Sequence, residues 1–413
     1  MAPHVLIIGG GISGLCMAHG LKKYGISFHI YEKDSTNEYR AQGYRIRIAG
    51  VGSDALQYLL DDDTMSLFEL TCAEMKLGPM SAVDAVTGEE IKSDAGPRGG
   101  PDLRSDSGPP VFEQRSMPRT VDRTVFREVL LRGLKDHISY NHAFANYALK
   151  DGGIIATFSN GKVVEGSLLV GADGARSAVK RKYLPSHGVV DTGGRMIYGK
   201  THLTPDVTSA VNPALLRGMS AMKDFSKPRP LTVIAEPVTF PNRDRMEEAG
   251  IECPVDYLYW VAAAQSEVFG REAGSKPHLS LEEAEKLAVD ISEHWHPNAR
   301  VIVERQTRGQ TSVLPVYSIT PDIQPWKPNS HITLVGDAIH VMSPAGGQGA
   351  NTALRDVHTL CQLVVDQGLS KEAVGEYEAR MRDYTRQAVE QSFMGSARIF
   401  GGKPWHECEA VKF

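Results

Sequence analysis

Residues 334–351 combine an acidic side chain with a glycine-rich turn in a way that suits a polar ligand. A short apolar strand is predicted at Ile332–Val335 and runs directly into Gly336 and Asp337. A turn rich in proline and glycine follows, and a helix is predicted from about Ala350 because apolar residues then recur at helical spacing. Such a turn brings backbone N–H groups and a helix N-terminus to one point, which suits an anion or an electron-rich ring edge. Asp337, held at the end of a strand, could accept hydrogen bonds from a sugar hydroxyl.

The first residues of the protein include a second glycine-rich turn, of the kind that binds dinucleotides. Val5–Ile8 is a continuous run of β-branched residues and leucine, which predicts a fully buried strand. Gly9, Gly11 and Gly14 form the pattern G-x-G-x-x-G, and a helix is predicted to continue after them. A second predicted strand ends at Glu32, where this fingerprint places an acid for a ribose hydroxyl. Since the glycines allow a tight turn and close approach to a pyrophosphate, we predict a dinucleotide site here.

The composition limits the partners and the compartment. The 413 residues are 41% hydrophobic and 23% charged, which is ordinary for a globular protein of two or three domains. The net charge of -5 argues against nucleic acid as a partner, because phosphate contacts need a basic face. The five cysteines are scattered, no histidine pair has metal-ligand spacing, and no signal peptide or membrane span is evident. We therefore expect a cytoplasmic protein with no metal, no nucleic-acid partner and no integral membrane segment.

Several charged residues outside these turns could serve a bound ligand or only face solvent. Arg45 and Arg47 alternate with isoleucines in a predicted strand, so both lie on one face. That face could be a solvated edge, or it could meet a pyrophosphate or an acidic substrate. Arg123 begins a predicted helix, where it could reach a phosphate or remain an ordinary surface residue. Asp173 lies in a third strand-to-helix glycine turn.

The middle of the sequence differs in character from both ends. Between residues 195 and 264 strand-like runs alternate with prolines and polar loops rather than with helices, which predicts a largely antiparallel sheet inserted in the nucleotide-binding domain. A capping box from Ser280 to Glu283 predicts a helix. Apolar residues from Val374 onward repeat at three and four, which predicts a long C-terminal helix packed against the body. The segment 94–110 is rich in glycine, proline, serine and aspartate and is predicted to be a surface loop or a lid.

Three motifs taken in order are more specific than any one of them. They are Gly9-x-Gly11-x-x-Gly14, Asp173-Gly174-x-x-Ser177 and Gly336-Asp337-Ala338-x-His340-x-x-x-Pro344-x-x-Gly347-x-Gly349-x-Asn351. With them the protein resembles, over nearly its whole length, the single-component FAD-dependent monooxygenases of the aromatic hydroxylase type, such as para-hydroxybenzoate and salicylate hydroxylases and the tetracycline-inactivating monooxygenases. The resemblance implies an α/β fold with a Rossmann-like FAD-binding domain, an inserted mainly antiparallel β-sheet substrate domain and a C-terminal helix.

The resemblance also implies roles for individual residues around FAD. Glu32 would take the adenosine ribose, Arg123 would help to hold the pyrophosphate, and Asp337 would bind the ribityl chain. Asp173 would serve both FAD and NAD(P)H. Arg40 sits where relatives place a flavin-contacting arginine. The full set of expected cofactor-binding residues is Gly9, Gly11, Gly14, Glu32, Lys33, Arg40, Arg123, Asp173, Asp337, Pro344, Gly347, Gly349, Ala350 and Asn351.

The reaction that the resemblance implies is reduction of FAD by NADPH or NADH, followed by addition of O2 to give a flavin C4a-(hydro)peroxide. One oxygen atom then passes to an activated carbon of the substrate, while the protein supplies orientation, a dry pocket and charge control. Arg195 and Tyr198 lie on the first strand after the Asp173 motif, which relatives often use as the floor of the substrate pocket. We therefore predict them as catalytic, Arg195 to polarise a phenol or carbonyl and Tyr198 to pass a proton. A strand arginine that faces water is the alternative for Arg195.

The expected activity is hydroxylation of a small or medium, aromatic or polycyclic substrate of the secondary-metabolite kind. Baeyer–Villiger oxygenation, epoxidation, a flavin-dependent reductase or dehydrogenase, and a flavoprotein that only binds all stay open. The sequence does not decide between NADPH and NADH or between monomer and homodimer. The predicted domains are residues 1–72, 112–185 and 300–367 for FAD binding, 73–111 and 186–299 for the substrate, and 368–413 for a C-terminal helical segment.

Overall fold

Two large β-sheets organise the protein, and the computed structural model describes residues 4–35, 45–76, 78–91, 118–227, 229–270, 279–411 and 413. In sequence order the strands are β1 (His4–Ile8), β2 (Ser27–Tyr31), β3 (Arg45–Ile48), β4 (Ser81–Asp84), β5 (Arg119–Asp122), β6 (Ile138–Ser139), β7 (Phe144–Lys150), β8 (Gly153–Phe158), β9 (Val163–Gly166), β10 (Leu168–Gly171), β11 (Val189–His202), β12 (Ser220–Asp224), β13 (Leu231–Val238), β14 (Tyr257–Gln265), β15 (Ser312–Ser318), β16 (Ile332–Leu334) and β17 (Glu409–Val411).

The helices surround these sheets. They are α1 (Ile12–Lys23), α2 (Val51–Leu59), α3 (Asp62–Thr71), α4 (Arg123–Leu131), α5 (Ala178–Tyr183), α6 (Pro205–Ala210), α7 (Arg243–Glu248), α8 (Leu281–Ile291), α9 (Pro297–Glu304), α10 (Asp337–His340), α11 (Gly349–Gln367) and α12 (Lys371–Phe400). Short 3-10 turns occupy Lys135–His137, Pro213–Leu216, Ser266–Phe269, Pro344–Gly346 and Trp405–Glu407.

The first sheet is parallel and brings the three glycine turns to one edge. Its strand order is β16-β10-β1-β2-β6, and every neighbouring pair is parallel. Strand β1 lies at the centre, which explains its uninterrupted apolar run. Because the carboxyl ends of parallel strands share an edge, the turns that follow β1, β10 and β16 meet there, with Gly9, Asp173 and Asp337.

The second sheet is mostly antiparallel, and one of its faces packs against the domain that contains the parallel sheet. Its order is β15-β11-β14-β13-β12-β4, with β17 added to β11, and β4 runs parallel to β12. Alternate residues of β14 face opposite sides. Tyr259 and Val261 pack into the core shared with the parallel domain, whereas Trp260 and Ala262 pack into a second core with α8 and α9. The face that carries Tyr259 is therefore the one turned toward the parallel domain.

The predicted fold class is confirmed, including the inserted sheet and the long C-terminal helix α12. The predicted domain boundaries stay a prediction, and one strand departs from them. Residues 312–318 fall in the range assigned to FAD binding, yet β15 hydrogen-bonds to β11 in the inserted sheet. The segment predicted as a possible lid, 94–110, lies outside the described residues. Within the described residues, no helix combines the length and the apolar character that a bilayer crossing requires.

Candidate cofactor and substrate site

The turn between β1 and α1 contains glycines of two different kinds. A Cβ atom at Gly14 would lie 2.0 Å from the carbonyl oxygen of Gly9, and one at Gly9 would lie 2.5 Å from the carbonyl oxygen of Ala172. These two glycines are required by the packing of the protein itself. A Cβ atom at Gly11 would meet nothing within 4 Å, and Gly11 has an ordinary φ of -77°. The open space at Gly11, directly at the N-terminus of α1, is where a ligand phosphate can approach.

Glu32 is fixed beside this turn. Its Oε2 accepts a hydrogen bond from the Gly10 N–H at 2.6 Å, and its Oε1 accepts one from the Asp34 N–H at 3.0 Å. The half-buried carboxylate thus ends β2 next to the glycine turn, as the sequence predicted. Lys33 is exposed, and Arg40 lies outside the described residues.

Helix α4 approaches the same turn through a different arginine from the predicted one. The Arg123 side chain is exposed, whereas Nε of the half-buried Arg127 donates to the carbonyl oxygen of Gly10 at 3.2 Å. The two arginines are four residues apart and therefore share one face of α4. Arg127 was missed because the sequence motif drew attention only to the start of the helix.

Asp173 caps the start of α5 through its side chain. Its carboxylate accepts hydrogen bonds from Ser177 Oγ at 2.5 Å and from the Ala178 N–H at 2.7 Å. Burial raises the pKa of Asp173, and these hydrogen bonds oppose the rise. The Lys180 ammonium of α5 donates to the carbonyl oxygen of Ile339 in α10 at 3.1 Å, so the Asp173 turn is joined to the Asp337 turn. Burial lowers the pKa of Lys180 to about 8.

The Gly336–Asp337 turn is hydrogen-bonded to a buried carboxylate of α11 that the sequence did not reveal. Asp356 on α11 accepts the Gly336 N–H at 2.7 Å, lies 2.5 Å from Nε2 of His340, and accepts the Tyr384 hydroxyl at 2.7 Å. Asp356 and His340 are both fully buried. Burial opposes protonation of His340, but the charges of Asp356 and Asp337 outweigh it and raise the pKa of His340. Asp337 itself is exposed at the first position of α10, so its carboxylate is available to a ligand.

The glycine-rich turn before α11 contacts strand β3. Asn351 accepts the Ala49 N–H at 3.0 Å and donates to the Arg47 carbonyl oxygen at 3.2 Å. A Cβ atom at Gly349 would find its nearest neighbour at 3.8 Å, so the start of α11 is sterically open. Pro344 begins the preceding 3-10 turn, Gly347 has a φ of +65°, and Ala350 follows in the first turn of α11.

These residues fit a dinucleotide such as FAD. Open backbone at Gly11 and Gly349 faces two helix N-termini, and each N-terminus offers N–H groups that have no acceptor within its helix. Glu32 and Asp337 supply carboxylate acceptors, and Arg127 supplies a cation beside the first turn. All of these lie around the carboxyl edge of the parallel sheet.

Comparison with known proteins agrees with this geometry. Residues 323–392 match an FAD binding domain and residues 7–51 match an NAD(P)-binding Rossmann-like domain. The dual O-methyltransferase/FAD-dependent monooxygenase CTB3 of Cercospora beticola is 37% identical over 429 residues, which cover 99% of this chain and 48% of the relative. A crystal structure of a provisionally named FAD-containing monooxygenase from Photorhabdus luminescens subsp. laumondii TTO1 superposes with a TM-score of 0.76 at 28% identity, covering 96% of this chain and 99% of the other.

The chain is therefore similar in sequence and in fold to FAD-dependent monooxygenases. A second crystal structure, that of HpxO from Klebsiella pneumoniae complexed with FAD and uric acid, shows the same fold with a TM-score of 0.73 at 19% identity, covering 97% of this chain and 89% of the other. The family resemblance drawn from the three motifs is thus confirmed, as is FAD as the cofactor. The chain spans about half the length of the curated relatives that it matches first.

In this protein the two residues predicted as catalytic lie on opposite faces of the inserted sheet. Tyr198 is paired with Val261 and packs against the core shared with the FAD-binding domain. Arg195 is paired with Ala264, whose side chain belongs to the core on the other face. The Arg195 guanidinium makes two hydrogen bonds of 2.9 Å to the Asp191 carboxylate and is almost fully buried. The structure therefore does not bring Arg195 and Tyr198 together, and the alternative of a strand arginine facing water does not hold either.

Proposed function

We propose that the protein is an NAD(P)H-using monooxygenase that transfers one oxygen atom from O2 to a small or medium aromatic or polycyclic substrate, with hydroxylation as the reaction. The observation that carries this proposal is the aromatic face of the inserted sheet. Tyr198 and Tyr259, with ring centres 6.5 Å apart, pack against the core shared with the parallel domain. Tyr259 contacts Arg45 of β3, and β3 is bonded to Asn351 in the first turn of α11, so this face lies near the open backbone at Gly349. An apolar, aromatic-lined face of this kind suits a flat organic molecule.

The role of the bound FAD would be to accept hydride from NAD(P)H and to activate O2. The residues of this protein would do the rest. Asp337 and the α1 and α11 N-termini would fix the cofactor, and the inserted sheet would exclude water from the reacting carbon. The name of the relative from Cercospora beticola joins an O-methyltransferase to a monooxygenase in one polypeptide, which supports a substrate that carries hydroxyl groups.

The proposal is tested with the FAD-loaded protein and oxygen-18-labelled O2. The flavin is first reduced anaerobically by NADPH or by NADH, with and without each of a panel of phenols and polycyclic ketones, and labelled oxygen is then admitted. We expect substrate to accelerate reduction and one labelled atom to appear in the product. Label inserted between two carbon atoms that were bonded in the substrate would indicate Baeyer–Villiger chemistry, and label in an oxirane would indicate epoxidation. Reoxidation without any labelled product would favour a reductase or dehydrogenase, and absence of reduction would favour a binding protein.

We propose Tyr198 rather than Arg195 as the residue on the substrate side. Tyr198→Phe is expected to keep FAD and to lower product formation by at least tenfold, because a positioned proton-transfer group typically contributes more than that. Arg195→Ala is expected to keep the activity per folded molecule while costing roughly 2 kcal/mol of stability, since Asp191 loses its partner. Product yield per flavin measures the activity of both variants, and urea unfolding measures their stability. Loss of turnover in a stably folded Arg195→Ala protein would return Arg195 to the catalytic site.

A further inference from the structure

Strand β3 carries two arginines that share a single carboxylate. Arg45 and Arg47 lie on the same face, with side chains that are 12% and 25% exposed. Both form ion pairs with Glu236 of β13, Arg47 through its Nη2 and Oε1 at 2.6 Å. The Glu236 side chain is only 4% exposed, so the cluster lies in the interface between β3 and the inserted sheet. Of the alternatives that the sequence left open for these arginines, a solvated edge is therefore excluded.

Among the residues that the structure describes, the charges of this cluster do not balance. Two guanidinium groups face one carboxylate, which leaves a net charge of about one positive unit in a poorly hydrated place, since arginine stays protonated in proteins. The nearby cation Lys200 is already neutralised, because its ammonium lies 2.8 Å from Asp122. Burial, together with the neighbouring Arg45, lowers the pKa of Arg47 to about 10, which still leaves it charged at neutral pH.

Donors in the cluster also lack acceptors. Among the atoms that the structure describes, Nε of Arg45 and Nε of Arg47 are buried without a hydrogen-bond partner. Leaving a buried charged donor unpaired is costly, so these guanidinium N–H groups require an explanation, and a bound anion would supply the missing acceptor. Tyr259 lies beside the cluster, with the Arg45 guanidinium 5.5 Å from its ring centre.

The cluster lies next to the predicted flavin-binding segment. The backbone of β3 and the residue after it is bonded to the Asn351 side chain, in the first turn of α11. On the opposite side, Glu236 is paired with Tyr259 across β13 and β14. The arginines therefore lie close both to the start of α11, where we expect the flavin, and to the aromatic face that we propose for the substrate.

We propose that Arg45 and Arg47 bind an oxyanion on the aromatic substrate, a phenolate or a ring carboxylate, and that Glu236 holds the two guanidinium groups in position. The inference rests on the proposed function in so far as the oxyanion belongs to the molecule that is oxygenated. A pair of guanidinium groups suits an oxyanion because their N–H donors lie in planes that match its lone pairs. A phenolate is also more electron-rich than a phenol, so this site would favour attack of an electrophilic oxygen on the ring.

The test measures binding to the oxidised FAD-loaded protein, without turnover, through changes in flavin absorbance. The probes are two matched pairs, 2-naphthoate with neutral 2-naphthamide and 2-naphthol with 2-methoxynaphthalene. If the oxyanion is a carboxylate, we expect 2-naphthoate to bind about tenfold to a hundredfold more tightly than the amide, the value of one charge-assisted hydrogen bond. If it is a phenolate, 2-naphthol should bind more tightly as the pH rises toward its own ionisation, while 2-methoxynaphthalene should not change.

Variants of the cluster show which of its residues produce the preference for the anionic probe over its neutral partner. Arg47→Met and Arg45→Met should each bring the preference for the anionic probe close to one, and Glu236→Gln should preserve or increase it because a negative charge is removed. Arg47→Lys keeps the charge and should retain part of the preference even if a methionine variant folds poorly. Arg308→Met, which removes an exposed arginine elsewhere, should behave as the wild type.

Three results would overturn the proposal. The first is equal or weaker binding of both anionic probes relative to their neutral partners, or no binding of them at the highest soluble concentration. The second is an anion preference that survives in both methionine variants. The third is loss of FAD from the folded methionine variants, which would assign the arginines to the cofactor. Failure of the proposed function is a separate observation, because absence of labelled product leaves the binding measurements unchanged.

Discussion

Asp356→Ala should lose about 3–5 kcal/mol of unfolding free energy, the usual cost of removing one member of a buried charged pair. It should also release FAD. The reason is that the Asp356 carboxylate is the common acceptor for the Gly336 N–H, the His340 ring and the Tyr384 hydroxyl. Without the Asp356 carboxylate the turn that contains Asp337 loses its hydrogen bond to α11, although Asp337 itself is unchanged. Urea unfolding and the flavin content after gel filtration measure the two effects.

A matched control and the pH dependence separate this role from a general loss of charge. Asp366→Ala removes an exposed carboxylate from the same helix and should change neither stability nor flavin content. His340 has a raised pKa in the folded protein. Its protonation therefore stabilises the fold fully below about 6.5, the pKa of an unfolded histidine, and this contribution is lost as the pH rises through the higher folded value. Asp356→Asn should flatten that dependence, and an unchanged pH profile with full flavin retention would contradict the assignment.

The parts of the site that the sequence predicted are those fixed by local structure. A buried strand followed by Gly9 and Gly14 has few alternatives, because each glycine is required by a backbone contact within the same turn or with the neighbouring turn. Glu32 follows from the position at which the next parallel strand must end. The three turns converge because parallel strands share a carboxyl edge, and the order of the motifs carried the resemblance that implied this fold.

The parts that the sequence did not predict depend on contacts between distant segments. Asp356 and Gly336 are separated by a turn and part of a helix, and Glu236 and Arg47 are separated by 189 residues. In both pairs the sequence around one residue gives no indication of its partner. Arg195 is a different case. It lies three residues before Tyr198 in one strand, and strand periodicity alone places residues of odd separation on opposite faces. Their shared role as catalytic residues was therefore in conflict with geometry that the sequence already contained.

Gly14→Ala should mainly lower stability and Gly11→Ala should mainly weaken FAD binding, although both change the same G-x-G-x-x-G turn. At Gly14 the new methyl group would lie 2.0 Å from the Gly9 carbonyl oxygen, so the turn must open, at a cost of about 3 kcal/mol or more. At Gly11 the methyl group meets no protein atom within 4 Å, and the φ of -77° is ordinary for alanine. The fold should therefore lose less than about 1 kcal/mol, close to the cost of alanine at a helix N-cap.

The substitution at Gly11 should, however, weaken the binding of FAD. If the FAD pyrophosphate approaches the N-terminus of α1 there, the methyl group occupies its place, and the affinity for FAD should fall at least tenfold, about 1.4 kcal/mol. FAD titration of the flavin-free proteins and urea unfolding in the absence of FAD measure affinity and stability separately. Gly188→Ala, at an exposed glycine that also has open space around it, serves as the control and should change neither quantity. Wild-type affinity for FAD in Gly11→Ala would mean that the pyrophosphate lies elsewhere, because nothing in the protein itself requires glycine at that position.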